Sequence, residues 1–351
     1  MLNVLIIKIS SMGDLIHTLP ALTDAKQALG EITFDWVAAP AFAEIPRWHT
    51  AVNHVIACPF RQWKKRYFQA WRQGEIKKFT HALREKHYDL IIDAQSALKS
   101  ALISKIAHGK NAGMDKNSVC EFGAQYFYKN SYFVEKNQHA LTRTRQLFAH
   151  ALNYSLPSST PDFGIDVAKL PTLMMTLPKN FIVIIPNTTW PTKHWLDAHW
   201  QQLMMKINHA GFSVVIPWGN PTEKQRAEML KNAGENVTVL PKISLSECAS
   251  LLMHAKAAVC VDTGLGHLAA ALQTPAIHLY GPTDPQKIGA YGEQQRHLQS
   301  TIPCAQKCKR TCYSTKIPSP QAACLSQITP ENVWEALQNR LSRVTRLAAD
   351  T

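Results

Sequence analysis

The chain lacks any apolar run approaching the roughly 20 residues that cross a bilayer, which argues against a membrane-spanning helix. No secretory leader is expected either. No basic segment precedes Met1-Leu2-Asn3-Val4-Leu5-Ile6-Ile7-Lys8, which turns polar too soon for an apolar signal core. A cytoplasmic protein is expected. The loop after this first run has neither a dinucleotide fingerprint nor a P-loop lysine motif, which disfavours a simple NAD enzyme. No recognised nucleic-acid module is present. Acidic residues are scarce: 25 Asp and Glu stand against 38 Lys and Arg, a formal charge of +13. Such an excess points to anionic partners, whether nucleic acid, an acidic membrane surface or a phosphorylated substrate.

What is present suits two ordinary domains. The 351 residues are 46% hydrophobic, enough for two cores. Short apolar runs alternate with amphipathic stretches, the pattern of a doubly wound parallel sheet. Strands are expected at 2–9, 32–38, 52–58 and 88–93. Helices are expected at 15–29 (broken or kinked at Pro20), 60–86, 97–107 and 138–153. Residues 155–177, with Pro157, Pro161 and Pro171, read as a linker between an N-terminal domain, 1–154, and a C-terminal domain, 178–351. The alternation then restarts. Strands are expected at 181–185, 213–216, 237–240, 257–261 and 275–280. Helices are expected at 195–210, 223–232, 244–254 (capped by Ser244), 264–272 and 330–347 (capped by Thr329). Two runs of one pattern imply two Rossmann-like α/β domains facing across a cleft.

Ligands of open parallel sheets bind beyond the carboxyl ends of the strands. Three loops there carry polar chemistry. In Lys8-Ile9-Ser10-Ser11-Met12-Gly13-Asp14, Gly13 permits a sharp turn, and Asp14 starts a helix either as its cap or as a general base. In Asp262-Thr263-Gly264-Leu265-Gly266-His267 a strand gives way to a helix of small residues whose N-terminal amides suit a diphosphate. His267 is either packed or a ligand. In Thr188-Thr189-Trp190-Pro191-Thr192-Lys193 the threonines can bond phosphate oxygens and the lysine can neutralise them. A diphosphate leaving group and one carboxylate base together describe sugar transfer by single displacement with inversion.

At these residues the chain resembles the lipopolysaccharide heptosyltransferases of glycosyltransferase family 9. The matches are Lys8 to Asp14, His17-Thr18-Leu19-Pro20-Ala21, Asp93-Ala94-Gln95, Lys193-His194-Trp195, Pro217-Trp218-Gly219, Val261-Asp262-Thr263-Gly264, Tyr280-Gly281-Pro282-Thr283-Asp284-Pro285 and Ile288-Gly289. They span most of the chain in order. The resemblance implies a GT-B fold and ADP-L-glycero-β-D-manno-heptose as donor. It implies Kdo2-lipid A as acceptor, with an inner-core heptose as the alternative. Asp14 would be the catalytic base and Lys193 would assist the leaving group. Thr188, Thr189, Lys193, Asp262, Thr263, Gly264, Leu265 and His267 would hold the donor, with Glu223 near its ribose. Lys8, Ser11, Arg61, Lys64 and Lys65 would meet the acceptor's anionic groups. The basic acceptor stretch departs from the family pattern at Gln62, and Cys120 follows Gly113-Met114-Asp115 where a further arginine is expected.

No cofactor is expected to be required, with Mg2+ stimulation left open, and no resident metal. Cys304, Cys308, Cys312 and Cys324 resemble a cluster in related enzymes; four cysteines could bind zinc, but their spacing is not paired C-x2-C, so free or partly paired structural thiols are the favoured expectation. From Arg61 to Lys86 every charged residue is basic except Glu75 and Glu85. With Trp63, Tyr67, Phe68 and Trp71 interleaved, this stretch suits either an interfacial helix on anionic lipid or a solvated face. The expected location is cytoplasmic, peripheral on the inner leaflet of the inner membrane. The competing reading from another class is a non-catalytic nucleotide-binding or nucleic-acid-binding protein. It leaves Asp14 without a role.

Overall fold

The computed structural model describes residues 1–232, 234–303, 308–313 and 323–349. Two compact α/β units divide the chain, Met1–Lys169 and Leu170–Thr351. The stretch 155–169 goes with the first unit, where Ile165 bridges His49 in antiparallel fashion.

The first unit carries strands β1 (Leu2–Ile7), β2 (Ile32–Ala38), β3 (Val52–Ala57), β4 (His87–Asp93), β5 (His108–Met114) and β6 (Asn130–Tyr132). The second carries β7 (Phe181–Ile185), β8 (Ser213–Ile216), β9 (Val237–Val239), β10 (Ala257–Val261), β11 (Ala276–Tyr280) and β12 (Gln295–Gln299). Every pairing is parallel. The sheets run β3-β2-β1-β4-β5-β6 and β12-β11-β10-β7-β8-β9. Read from β9, the second sheet takes its own strands in the order third, second, first, fourth, fifth, sixth. Both units therefore share one Rossmann topology, and both reverse direction between their first and fourth strands. The crevices that bind ligands lie at those reversals, beyond β1 and β4 and beyond β7 and β10.

Central strands are buried on both faces and read as unbroken apolar runs. Val4 to Ile7 are fully buried, as are all of β10 and β11. The edge strands β6, β9 and β12 are short and more polar. In the second core, Trp195 and Trp200 pack edge-to-face at 4.9 Å, and Trp195 Nε1 donates to the Ile328 carbonyl. That bond ties the loop after β7 to the segment before the terminal helix, Pro330–Ala349.

Several elements differ from expectation. β1 ends at Ile7, not residue 9. The helix expected over 15–29 starts earlier, at Met12, and is broken beside Pro20 as expected, into Met12–Ile16 and Leu19–Leu29. Pro20 explains the break, because its ring cannot donate to the Ile16 carbonyl and would collide with it. The stretch 60–86 is three helices, Phe60–Lys65, Tyr67–Arg72 and Glu75–Arg84. One break falls at Gly74, left-handed at φ +70°. The other falls at Arg66, whose guanidinium reaches back to Glu75 with both nitrogens at 2.8 and 3.0 Å. β5, β6 and β12 have no counterpart among the expected strands.

Candidate active site

In the first unit the loop beyond β1 is held from its neighbours. Gln95, just past β4, accepts with Oε1 from the Ile9 amide at 2.7 Å and the Ser10 amide at 3.4 Å. The Gln95 and Ser96 amides donate to Asp93 Oδ1 at 2.9 and 3.1 Å, and Tyr128 donates to Oδ2 at 2.6 Å. Burial pushes the Asp93 carboxyl up, against these three donors that favour its charged form. Lys8 Nζ donates to the Ala94 carbonyl at 2.8 Å and lies 3.9 Å from Asp14 Oδ1. Asp14 Oδ2 accepts from the Ser11 amide at 2.8 Å and the Ser11 hydroxyl at 2.6 Å. Asp14 is thus a helix-capping group and, with 43% of its side chain exposed, a carboxylate open to solvent.

The structure brings Lys8, Ser11 and Asp14 together. Arg61, Lys64 and Lys65 are exposed on Phe60–Lys65, which leaves β3. β3 lies two strands from β1, roughly 10 Å at ordinary strand spacing.

In the second unit, residues far apart in sequence converge beyond β7 and β10. Lys193 Nζ donates to Asp262 Oδ2 at 2.6 Å, and the Thr283 hydroxyl donates to the same oxygen at 2.6 Å. His267 Nε2 lies 3.9 Å from Oδ1. The Thr188 hydroxyl donates to the Asp262 carbonyl at 3.0 Å. Burial drives the Asp262 carboxyl up, but Lys193, His267 and Thr283 together outweigh it and hold the group below the usual carboxylate range. The Lys193 ammonium also sits over the Trp190 ring, 4.6 Å from its centroid. An ammonium has three donors, and only one is spent on Asp262.

Thr263 is extended at φ −151° and opens the helix Gly264–Ala271, so the amides of Gly264 and Leu265 lie in its first turn. The helix packs close on β11: a Cβ at Gly266 would stand 3.0 Å from His278 Nδ1. Glu223, on Pro221–Lys231, accepts with Oε2 from the Gly219 amide at 2.8 Å and so orders the turn beyond β8. Thr189 is exposed.

Three contributors carry no role in the sequence reading. Thr283 lies in the loop beyond β11, and only its place in Gly281-Pro282-Thr283 marks it. Gln95 is marked only by Asp93-Ala94-Gln95. Arg226, three residues after Glu223 and thus on its helix face, has no local signal. It donates to the Pro186 carbonyl at 2.8 Å, Asn187 Oδ1 at 3.2 Å and the Trp195 carbonyl at 3.1 Å, and pairs with Asp197 at 2.6 Å. It also donates to His194 Nδ1 at 3.2 Å, which leaves the proton on Nε2 to donate to the Thr188 carbonyl at 2.8 Å. Burial and Arg226 depress the His194 pKa, so the neutral ring fits that pattern.

Cys304 lies outside the described residues. Cys308, Cys312 and Cys324 are buried, and burial with the other two thiols nearby pushes Cys324 up to about 11. Among the described residues no group of three or more His, Cys, Asp or Glu is arranged to hold a metal ion. No helix among them is long and apolar enough to cross a membrane.

The family model of glycosyltransferase family 9 (heptosyltransferase) matches residues 76–317. Lipopolysaccharide heptosyltransferase 1 of Pseudomonas aeruginosa is 46% identical over 351 residues, 97% of this chain and 98% of its own. The solved structure of E. coli heptosyltransferase WaaC with ADP is similar with a TM-score of 0.85 at 41% identity, over 97% of this chain and 100% of that one. WaaC with ADP-2-deoxy-2-fluoro heptose gives a TM-score of 0.83 at 41% identity, over 96% and 99%. The fold is GT-B, built from two Rossmann-like units.

Proposed function

The chain belongs to glycosyltransferase family 9 and is a heptosyltransferase of lipopolysaccharide core biosynthesis, and we propose that it moves the heptose of ADP-heptose onto the Kdo of Kdo2-lipid A. The observation that carries the donor side is the convergence of Thr188, Lys193, Asp262, Thr283 and His267 beyond β7 and β10, at the reversal of the sheet. Support for the nucleotide comes from the WaaC complexes with ADP and with a fluorinated ADP-heptose.

In this reading the ADP diphosphate lies on the first amides of Gly264–Ala271, with Thr188, Thr189 and Thr263 bonding its oxygens. Lys193 gives its remaining donors to the same group, while Asp262 fixes the ammonium in place. Glu223 lies near the ribose. On the first unit, Lys8, Ser11, Arg61, Lys64 and Lys65 hold the acceptor's anionic groups, and Asp14 faces its reacting hydroxyl. That oxygen attacks the anomeric carbon as the bond to the diphosphate breaks. The bonding pair leaves with ADP, the hydroxyl proton passes to Asp14, and the anomeric centre inverts. Lys193 and the helix amides balance the charge growing on ADP, so the proposal calls for no cofactor, and Mg2+ dependence is read by chelation. The acceptor places the enzyme at the cytoplasmic face of the inner membrane.

Transfer from ADP-heptose to Kdo2-lipid A, followed by ADP release and product mass, tests the reading. Transfer only to an acceptor already bearing heptose would assign the second-heptose reaction instead.

A further inference from the structure

The first unit exposes aromatic side chains on two neighbouring segments. On Tyr67–Arg72, Tyr67, Phe68 and Trp71 are 58, 81 and 65% exposed, while Ala70 is fully buried against the core. This helix is held outward from behind, because Glu75 accepts from the Arg66 guanidinium and from Trp63 Nε1 at 3.0 Å. That contact also spends one of the only two acidic charges between Arg61 and Lys86, leaving the outer face basic.

A second patch lies beyond β4 and β5. Leu98 and Leu102, one turn apart on Leu98–Ile106, are 46 and 51% exposed. Phe122 and Tyr126, 75 and 76% exposed, meet edge-to-face at 6.1 Å. The two segments touch, since a Cβ at Gly123 would stand 3.2 Å from Leu98 Cδ2. Lys99 links the patches: its ammonium lies 5.6 Å from the Phe60 ring, at the start of the helix that bears Lys64 and Lys65.

Both patches belong to segments that leave the carboxyl ends of β3, β4 and β5, the edge of the sheet that also bears Asp14. Scattered exposed apolar residues need no explanation, but aromatics grouped among lysines on one edge have the composition of a bilayer interface. We propose that Phe68 and Trp71, together with Leu102, Phe122 and Tyr126, form a two-part seat in the headgroup region of an anionic bilayer. Charge selects this occupant: a basic face repels a second copy of itself and is drawn to anionic lipid. The seat rests on the lipid-linked acceptor assigned above and extends it, because it fixes which face of the first unit meets the membrane.

Flotation with vesicles of phosphatidylglycerol and phosphatidylethanolamine, against vesicles of phosphatidylcholine, tests it on the full chain. The variants are Phe122→Ser/Tyr126→Ser and Phe68→Ser/Trp71→Ser, at sites exposed enough to leave the fold intact. Each pair is expected to weaken binding to the anionic vesicles by about tenfold or more, and both pairs together to abolish it. Transfer to vesicle-borne acceptor should fall in parallel, and transfer to deacylated, soluble acceptor should stay at the wild-type rate. Unchanged vesicle binding by Phe122→Ser/Tyr126→Ser would overturn the seat. So would a wild-type dimer that the same pair splits, because the patch would then join two copies. Failure of the wild type on both acceptors would instead sink the assigned reaction and leave the flotation result to stand alone.

Discussion

The Lys193 ammonium and the Asp262 carboxylate, 69 residues apart, meet at 2.6 Å with only 13 and 6% of their side chains exposed. Parallel topology brings them together: β10 pairs with β7, so the loops that follow the two strands are neighbours. A pair this buried stabilises little in net terms, yet breaking it strands a charge. Lys193→Ala should lower the unfolding free energy by about 3 kcal/mol in urea titrations and abolish transfer. Lys193→Met with Asp262→Leu should recover most of the stability and none of the activity. Recovery of activity in the double variant would remove the pair from donor binding.

Arg226 acts on the donor through the loop it clamps, touching Pro186, Asn187, His194 and Trp195. Arg226→Ala should raise KM for ADP-heptose by about 10- to 100-fold, with a smaller change in kcat. Lysine cannot reproduce the fork of donors, so Arg226→Lys should rescue little. A loss of stability with unchanged KM would mark a merely structural residue.

Gln95 plays the matching part in the first unit, holding the Ile9 and Ser10 amides and through them the Asp14 loop. Gln95→Leu removes that acceptor from two backbone donors. It should cost about 1–3 kcal/mol and lower kcat while leaving ADP-heptose binding, measured by calorimetry, unchanged. Weaker donor binding would show that the loop serves the nucleotide.

Two buried histidines set the acid limit. Burial lowers the His49 pKa to about 4 and that of His278 to about 3, from 6.5. His49 Nδ1 accepts from the Ala51 amide and Nε2 meets the Thr23 hydroxyl, so protonation opposes the first contact. Both groups bind protons more readily when unfolded. Their contribution is fully present above about pH 6.5 and is lost as pH falls toward 4 and then 3. For His49 this amounts to about 3 kcal/mol. Urea midpoints at pH 7, 5 and 4 should fall steadily, and His49→Gln should flatten the curve. A curve of the same slope in the variant would reassign the effect.

Much of this architecture is legible in the chain because central parallel strands are buried on both faces. β1, β2, β4, β7, β10 and β11 stand out as apolar runs. β5 does not, because His108-Gly109-Lys110-Asn111 is polar and Gly109 sits where a Cβ would stand 2.3 Å from the Tyr88 carbonyl oxygen. β12 is an edge strand with one face in water and looks like a loop. The helix break at Pro20 is legible because the residue type enforces it, whereas those at Gly74 and at Arg66, where the partner Glu75 decides, are not read from the chain. In the site, Asp14 follows from one loop. The partners of Asp262 come from the loops after β7 and β11 and from the helix Gly264–Ala271, and Arg226 from a helix whose local sequence gives no sign of its role.

Asp14→Asn separates capping from catalysis, since an amide oxygen can still accept from the Ser11 amide but cannot take a proton from an attacking hydroxyl. The decisive measurement is single-turnover transfer from ADP-heptose to Kdo2-lipid A by the wild type and by this variant, with ADP-heptose affinity measured beside it. Transfer by the wild type, with a rate lower by about 10²- to 10⁴-fold in Asp14→Asn at unchanged donor affinity, is the predicted result. No transfer by the wild type, or a wild-type rate in the variant, would contradict the account.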